Sequence, residues 1–156
     1  MNKHHMTRKT LFLLVLAFIA GLLVGAIVFT DSKSRSPLSI HECTRHCWHP
    51  NEIAGLFASV VVQNMPGIIP NVILETDKTI AFKHPRPMNK IHYLFVPKKD
   101  IKNIGELTEE DKEYIIDLYS IVAVVINQQG IKNYRLWTNG PGKQEVTYLH
   151  FHLVAE

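Results

Sequence analysis

From Leu11 to Phe29 the chain reads LFLLVLAFIAGLLVGAIVF, an apolar run without one charged side chain. Such a run has few structural choices. Within a bilayer every backbone N–H and C=O must find a partner inside the protein, which a lone segment achieves only as a helix, and about 20 residues cross the hydrocarbon. Residues 1–30 are therefore expected to form a short cytoplasmic tip and a single transmembrane helix. The competing reading is a signal peptide, with Leu11 to Leu23 as its apolar region and Val24-Gly25-Ala26 as a small-residue cleavage site. The unbroken continuation through Ile27, Val28 and Phe29 favours the anchor. Lys3, Arg8 and Lys9 precede the run, whereas Lys33 and Arg35 follow it with Asp31 between them. That slight positive-inside bias predicts a single-pass protein whose remaining residues lie outside the cytoplasm, or a secreted domain if the segment is cleaved.

The rest of the 156-residue chain is long enough for one domain with its own core. The net charge of +3 divides unevenly along it. Residues 1–36 hold five Lys/Arg and one Asp, giving +4, whereas residues 37–156 hold twelve Lys/Arg and thirteen Asp/Glu, giving −1. A nucleic-acid binder concentrates basic side chains on its domain, and here the excess flanks the apolar run instead. Nucleic acid is excluded as the main partner.

Residues 31–49 read as a linker carrying a Cys/His cluster. DSKSRSPLS is small, polar and closed by a proline. HECTRHCWHP then brings Cys43, His46, Cys47 and His49 together. Thiolate and imidazole suit zinc, but the C-x3-C spacing is not that of a standard zinc knuckle, and an oxidising compartment would equally turn the cysteines into a disulfide.

Residues 50–156 alternate strand-like runs with turn residues. Pro50 to about Phe57 reads as a short helix, and the β-branched run ASVVVQ, Ala58 to Gln63, as a strand closed by Asn64 and Pro66-Gly67. Val72 to Leu74, Thr79 to Phe82 and His92 to Val96 read as further strands, in a mostly antiparallel sheet. One long helix is expected after Thr108, because Glu109, Glu110 and Asp111 complement its positive end and Ile115, Leu118, Val122 and Val125 recur at helical spacing before Gly130. The chain closes on VTYLHFHLVAE, Val146 to Glu156, read as a strand. Alternation would put Thr147, Leu149, Phe151 and Leu153 on a core face and Tyr148, His150 and His152 on the other. Two histidines on one face opposite an apolar face are what a chemical site needs.

QEVTYLHFHLV resembles the signature of the histidine-triad family, in which histidines alternate with apolar residues along one strand. The resemblance runs back in order through YRLWTNGPGKQ, LTEED, HPRPMNKIHYLFVPKKDI and ETDKTIAF, and covers roughly residues 58–156. It implies an α+β domain built on a five-stranded antiparallel sheet with one long and one short helix, often a homodimer. It also implies a nucleotide or nucleoside phosphate as substrate, handled without a cofactor or a catalytic metal. Members hydrolyse or transfer nucleotidyl groups through a covalent nucleotidyl-histidine. The nucleophile falls on His150, and His152 would touch the same phosphate. Asn139, Gln144 and the adjoining Glu145 fall among the polar residues flanking the strand, and His92 lines the pocket.

Three departures accompany the match. Tyr148 stands where the first triad histidine is expected, so a phenol would have to serve in its place. His84 stands where an acid grips the ribose hydroxyls, and an imidazole cannot accept from both at once. Where some members hold a structural zinc, this chain offers Ser59, Asp100 and Tyr148, so that site is expected to be absent. Three function classes follow: a membrane-tethered nucleotide hydrolase or nucleotidyl transferase, a degenerate domain that binds a phosphate ligand without turnover, and a metal-binding module built on Cys43, His46, Cys47 and His49. Retention of His150, His152, Asn139 and Gln144 together favours the first.

Overall fold

The computed structural model describes residues 7–38 and 47–156. The chain divides into two units, Met1–Asp31 and Ser32–Glu156. The first holds helix α1, Arg8–Val28, whose N-cap Thr7 accepts the N–H of Thr10 on its hydroxyl at 3.2 Å. With a mean hydropathy of 3.0 over its most apolar window, α1 is long and apolar enough to cross a membrane or to serve as a signal sequence.

The second unit holds α2 (Pro50–Asn64), β1 (Val72–Glu75), β2 (Thr79–Lys83), β3 (Ile91–Pro97), α3 (Lys112–Gln129), β4 (Arg135–Thr138) and β5 (Phe151–Ala155). The five strands form one sheet in the order β1-β2-β3-β5-β4, every neighbouring pair antiparallel. This is the expected α+β architecture. The long helix also stands as expected. The Asp111 carboxylate accepts the backbone N–H of Thr108 at 2.8 Å, fixing the entry to α3, and Gly130 closes it at φ 61°, a left-handed position that favours glycine.

Strand alternation sorts the sheet residues into two faces. Ala81, Tyr93, Phe95, Phe151, Leu153 and Ala155 pack with Leu118, Ile121, Val122 and Val125 of α3 in the main core. On the opposite face Ile80, Leu94, Val96 and Tyr148 pack with Val62 and Ala58 of α2 in a smaller core. The rest of that second face carries the histidines.

Two expectations are corrected. ASVVVQ is not a strand: it continues the helix begun at Pro50, so that α2 runs for 15 residues. β-branched residues carry only a small helical penalty, and burying Ser59, Val60 and Val62 outweighs it. The closing strand, in turn, starts at Phe151 and not at Val146. Ahead of it the backbone leaves the ladder, because the Thr147 N–H donates to the Asn51 carbonyl and the Leu149 N–H to the Ile101 carbonyl. Thr147 thereby turns away from the main core, while Leu149, Phe151 and Leu153 keep to it.

Residues 32–38, read from composition as part of a linker, belong to the second unit and are tied into it through side-chain and backbone hydrogen bonds. The Ser32 hydroxyl meets that of Ser59 at 2.8 Å, Arg35 pairs with Asp100, and the Pro37 carbonyl accepts the His49 N–H at 2.8 Å. Cys47 is disulfide-bonded, so its sulfur is not a free thiolate for a metal; Cys43 and His46 lie outside the described residues.

Candidate active site

Register builds the site. Leu94 on β3 and Trp137 on β4 lie opposite His152 on β5, so His152 stands in the middle of three strands and projects from the face that Leu94 shares. His92 sits two residues from Leu94 on the same face of β3, and His84 follows the end of β2, its N–H donating to the His92 carbonyl at 2.8 Å. His150 immediately precedes β5, and its carbonyl accepts the Thr138 hydroxyl at 2.7 Å. The outcome is a cluster of four imidazoles. His84 stacks on His92 with ring centres 4.0 Å apart, and His150 meets His152 edge-on at 4.9 Å. The indole of Trp137 stacks on His152 at 5.2 Å.

Hydrogen bonds fix where the ring protons lie. Nδ1 of His84 accepts the N–H of Arg86 at 3.0 Å, and Nδ1 of His92 accepts the N–H of Met88 at 3.2 Å. A backbone N–H can only donate, so in neutral rings both protons sit on Nε2. His92 Nε2–H then donates across 2.9 Å to Nδ1 of His152, which places the His152 proton on its own Nε2. That Nε2 is buried and has no hydrogen-bond partner among the described residues. His150 is set the other way round. Its Nδ1 lies 2.7 Å from the Tyr148 carbonyl, an obligate acceptor, so Nδ1 keeps the proton and Nε2 keeps its lone pair.

Burial disfavours the charged form of His92, His150 and His152. It pushes His92 down to about 4, with His84 adding to the effect. His152 is likewise lowered to about 4, by burial first and then by His150, His92 and His84. Burial also lowers His150, against the Tyr148 carbonyl and the Glu145 carboxylate, which favour its protonated form.

The remaining sequence candidates are dispersed. Tyr148 touches the site through its carbonyl oxygen, not its phenol; the ring is 1% exposed in the smaller core, and the hydroxyl donates to the Pro97 carbonyl at 2.8 Å. Burial raises the phenol far above its ordinary range, so it stays a donor. Gln144 is buried with its amide N–H on the Lys102 carbonyl at 2.9 Å. Glu145 is exposed and pairs with Arg86 at 3.1 Å. Asn139 is half-buried directly after Thr138. Sequence reasoning missed Trp137 and the backbone of Arg86 and Met88. The YRLWT block held Trp137 in view, but only pairing with β5 reveals what it stacks on.

Neither the His84, His92 and His152 group nor the expected structural-zinc positions fit a metal ion. His84, His92 and His152 can each offer a ligand atom within 4.8 Å of the others. A ligating imidazole, however, donates its second N–H to an acceptor, whereas Nδ1 of His84 and of His92 each face a backbone donor. At the structural-zinc positions Ser59 bonds Ser32, Tyr148 bonds Pro97, and both Asp100 oxygens hold the Arg35 guanidinium at 2.6 Å. A cation already occupies that place.

A five-stranded antiparallel sheet, helices packed on both faces and an imidazole cluster on one of them define an α+β domain with a histidine site. A family model described as "Scavenger mRNA decapping enzyme C-term binding" matches residues 64–156. An uncharacterized HIT-like protein of Synechococcus elongatus is 31% identical over 103 residues, covering 64% of this chain and 88% of the relative. The chain belongs to the histidine-triad family. A purine nucleoside phosphoramidase of Escherichia coli K12 is 26% identical over 104 residues, 64% of this chain and 85% of that protein. Among solved structures, a HIT family hydrolase from Clostridium thermocellum is 31% identical with a TM-score of 0.56, over 62% of this chain and 89% of that one.

Proposed function

We propose that the chain is a hydrolase of nucleoside phosphate derivatives, breaking a phosphoramidate or phosphoanhydride bond through a covalent nucleotidyl-histidine on His150. One observation carries the reading: the hydrogen-bond chain leaves a lone pair on His150 Nε2 beside a buried, unpartnered Nε2–H on His152. The first is a nucleophile. The second is a donor with no acceptor among the described residues, and a phosphoryl oxygen supplies one.

In the first step His150 Nε2 attacks phosphorus; the P–N bond forms as the bond to the leaving group breaks, and the departing amine or phosphate takes its proton from solvent. The imidazole now carries positive charge, and the Tyr148 carbonyl facing Nδ1–H stabilises it. Water then attacks phosphorus, the electron pair returns to Nε2, and a nucleoside monophosphate leaves as the water's proton passes to solvent. His152, oriented by His92, holds the phosphoryl oxygen throughout. Kinship with a protein named as a purine nucleoside phosphoramidase supports this chemistry. The second reading, a binding domain without turnover, draws on Gln144, whose amide is engaged with Lys102.

A substrate radiolabelled in its α-phosphate, mixed with protein and quenched rapidly, should give an acid-labile, base-stable label. His150→Ala should abolish both label and turnover, whereas His152→Ala should retain activity lowered by on the order of 10² to 10⁴. Labelling that survives His150→Ala would refute the assignment. The proposed setting is a single-pass anchor formed by α1, with the domain outside the cytoplasm; self-association into a homodimer belongs to the same reading. Resistance of the full chain to carbonate extraction and protease access to the domain from the extracytoplasmic side are the expected results. Recovery of a soluble protein beginning near Ile27 would replace the anchor with a cleaved signal.

A further inference from the structure

Arg35 lies only a few residues beyond the apolar helix in sequence, yet its side chain is 2% exposed and its partner Asp100 1%. All five of its N–H donors are used. Nη1 donates to Asp100 Oδ2 at 2.6 Å and to the Lys33 carbonyl at 3.0 Å; Nη2 donates to Asp100 Oδ1 at 2.6 Å and to the Thr147 carbonyl at 2.8 Å; Nε reaches the Thr147 hydroxyl at 3.4 Å. The Lys33 N–H adds a further bond to Asp100 at 2.8 Å. Space for this cluster depends on Gly55 of α2, where a Cβ would overlap both Thr147 and Arg35.

The two groups that Arg35 joins bracket the nucleophile's support. Asp100 ends the turn after β3, and the next residue, Ile101, accepts the Leu149 N–H at 2.6 Å. Thr147 precedes Tyr148, whose carbonyl holds the His150 proton on Nδ1. Residues 145–148 form no ladder with a neighbouring strand, so the direction of the Tyr148 carbonyl depends on such cross-links. Arg35 is a planar fork, suited to gripping a carboxylate and a carbonyl together.

We propose that Arg35 is a positioning residue for His150: from the segment that follows α1 it clamps Asp100 to Thr147, fixes the Tyr148 carbonyl, and so sets the His150 tautomer that leaves Nε2 free to attack. The proposal rests on the reading of His150 as nucleophile, and the clamp stands at the positions where the resemblance would place a structural zinc. Loss of the clamp should lower kcat while leaving KM nearly unchanged, because it touches no substrate.

The experiment uses the full chain in detergent with Arg35→Ala and Arg35→Lys. Steady-state hydrolysis of a purine nucleoside phosphoramidate gives kcat and KM. Imidazole ¹⁵N shifts, assigned through His150→Gln, report the His150 tautomer without any substrate. Arg35→Ala should lower kcat by about tenfold to a hundredfold with KM within about threefold, and should convert His150 from a pure Nδ1–H form to a mixture. Added guanidinium should restore both. Arg35→Lys keeps the charge but cannot reach both partners at once, and should fall between. A folded Arg35→Ala or Arg35→Lys protein with the wild-type tautomer and kcat would overturn the proposal, as would a loss confined to thermal stability. If Arg35→Ala does not fold, the tautomer of Arg35→Lys decides. If the wild-type protein itself shows no turnover, the hydrolase reading fails, and the ¹⁵N shifts still decide whether Arg35 positions His150.

Discussion

At the scale of single residues, the site is defined by which atom of each imidazole carries a proton. Backbone donors at Arg86 and Met88 push the protons of His84 and His92 to Nε2, and a backbone acceptor at Tyr148 pulls that of His150 to Nδ1. An extra proton on His92 or His150 would break the pattern, and burial opposes it. Under the proposed hydrolase reading, His84 also bears on substrate choice. It stands on the stacked pair with His92, where the resemblance places a ribose-binding acid. A site without a carboxylate to accept from both sugar hydroxyls loses little when one is missing. Ribose and 2′-deoxyribose substrates should therefore differ in kcat/KM by no more than about tenfold, roughly 1.4 kcal/mol. A thousandfold preference for ribose would mean that another residue grips the sugar.

At the scale of elements, the segment ahead of β5 is held from three sides: α2 through Asn51, the turn after β3 through Ile101, and residues 32–38 through Arg35. Helix α2 can approach this closely because position 55 has no side chain. Gly55→Ala would press a methyl group into the Thr147 backbone, which cannot rotate away as a side chain can. We expect a loss of about 1–3 kcal/mol in unfolding free energy, measured by denaturant titration, with activity falling as the Thr147–Tyr148 backbone shifts. Wild-type stability in that variant would show that α2 and the segment are looser than the described packing.

At the scale of the whole molecule, burying neutral histidines ties stability to pH. His92 and His152 are lowered to about 4, below the ordinary histidine value of about 6.5. Between those values the unfolded chain binds protons that the folded chain refuses, so unfolding free energy is full above the ordinary value and falls as pH drops toward 4. The slope is about 1.4 kcal/mol per pH unit for each such ring, less for two that share a hydrogen bond. Denaturation curves at neutral pH and at mildly acidic values above the carboxylate range should show this decline. A flat profile would mean that the rings accept protons without cost in the folded state.

Elements whose signal is local were legible in the sequence. The apolar run of α1, the acidic start and glycine stop of α3, and the pairing of His150 with His152 all follow from neighbouring residues, because capping, periodicity and hydrophobic length act over a few turns of chain. The strand character of ASVVVQ was misjudged for the same reason: β-branching is a local preference, and burial against Tyr148 and Leu94 is not. Only tertiary structure decided that β5 lies between β3 and β4, which stacks Trp137 on His152, sends the Tyr148 phenol into the core and presents its carbonyl to His150. Only tertiary structure, too, could bring Arg35 to Asp100 across 65 positions. A buried ion pair forms where the fold closes water out around both partners, and no window of sequence contains both.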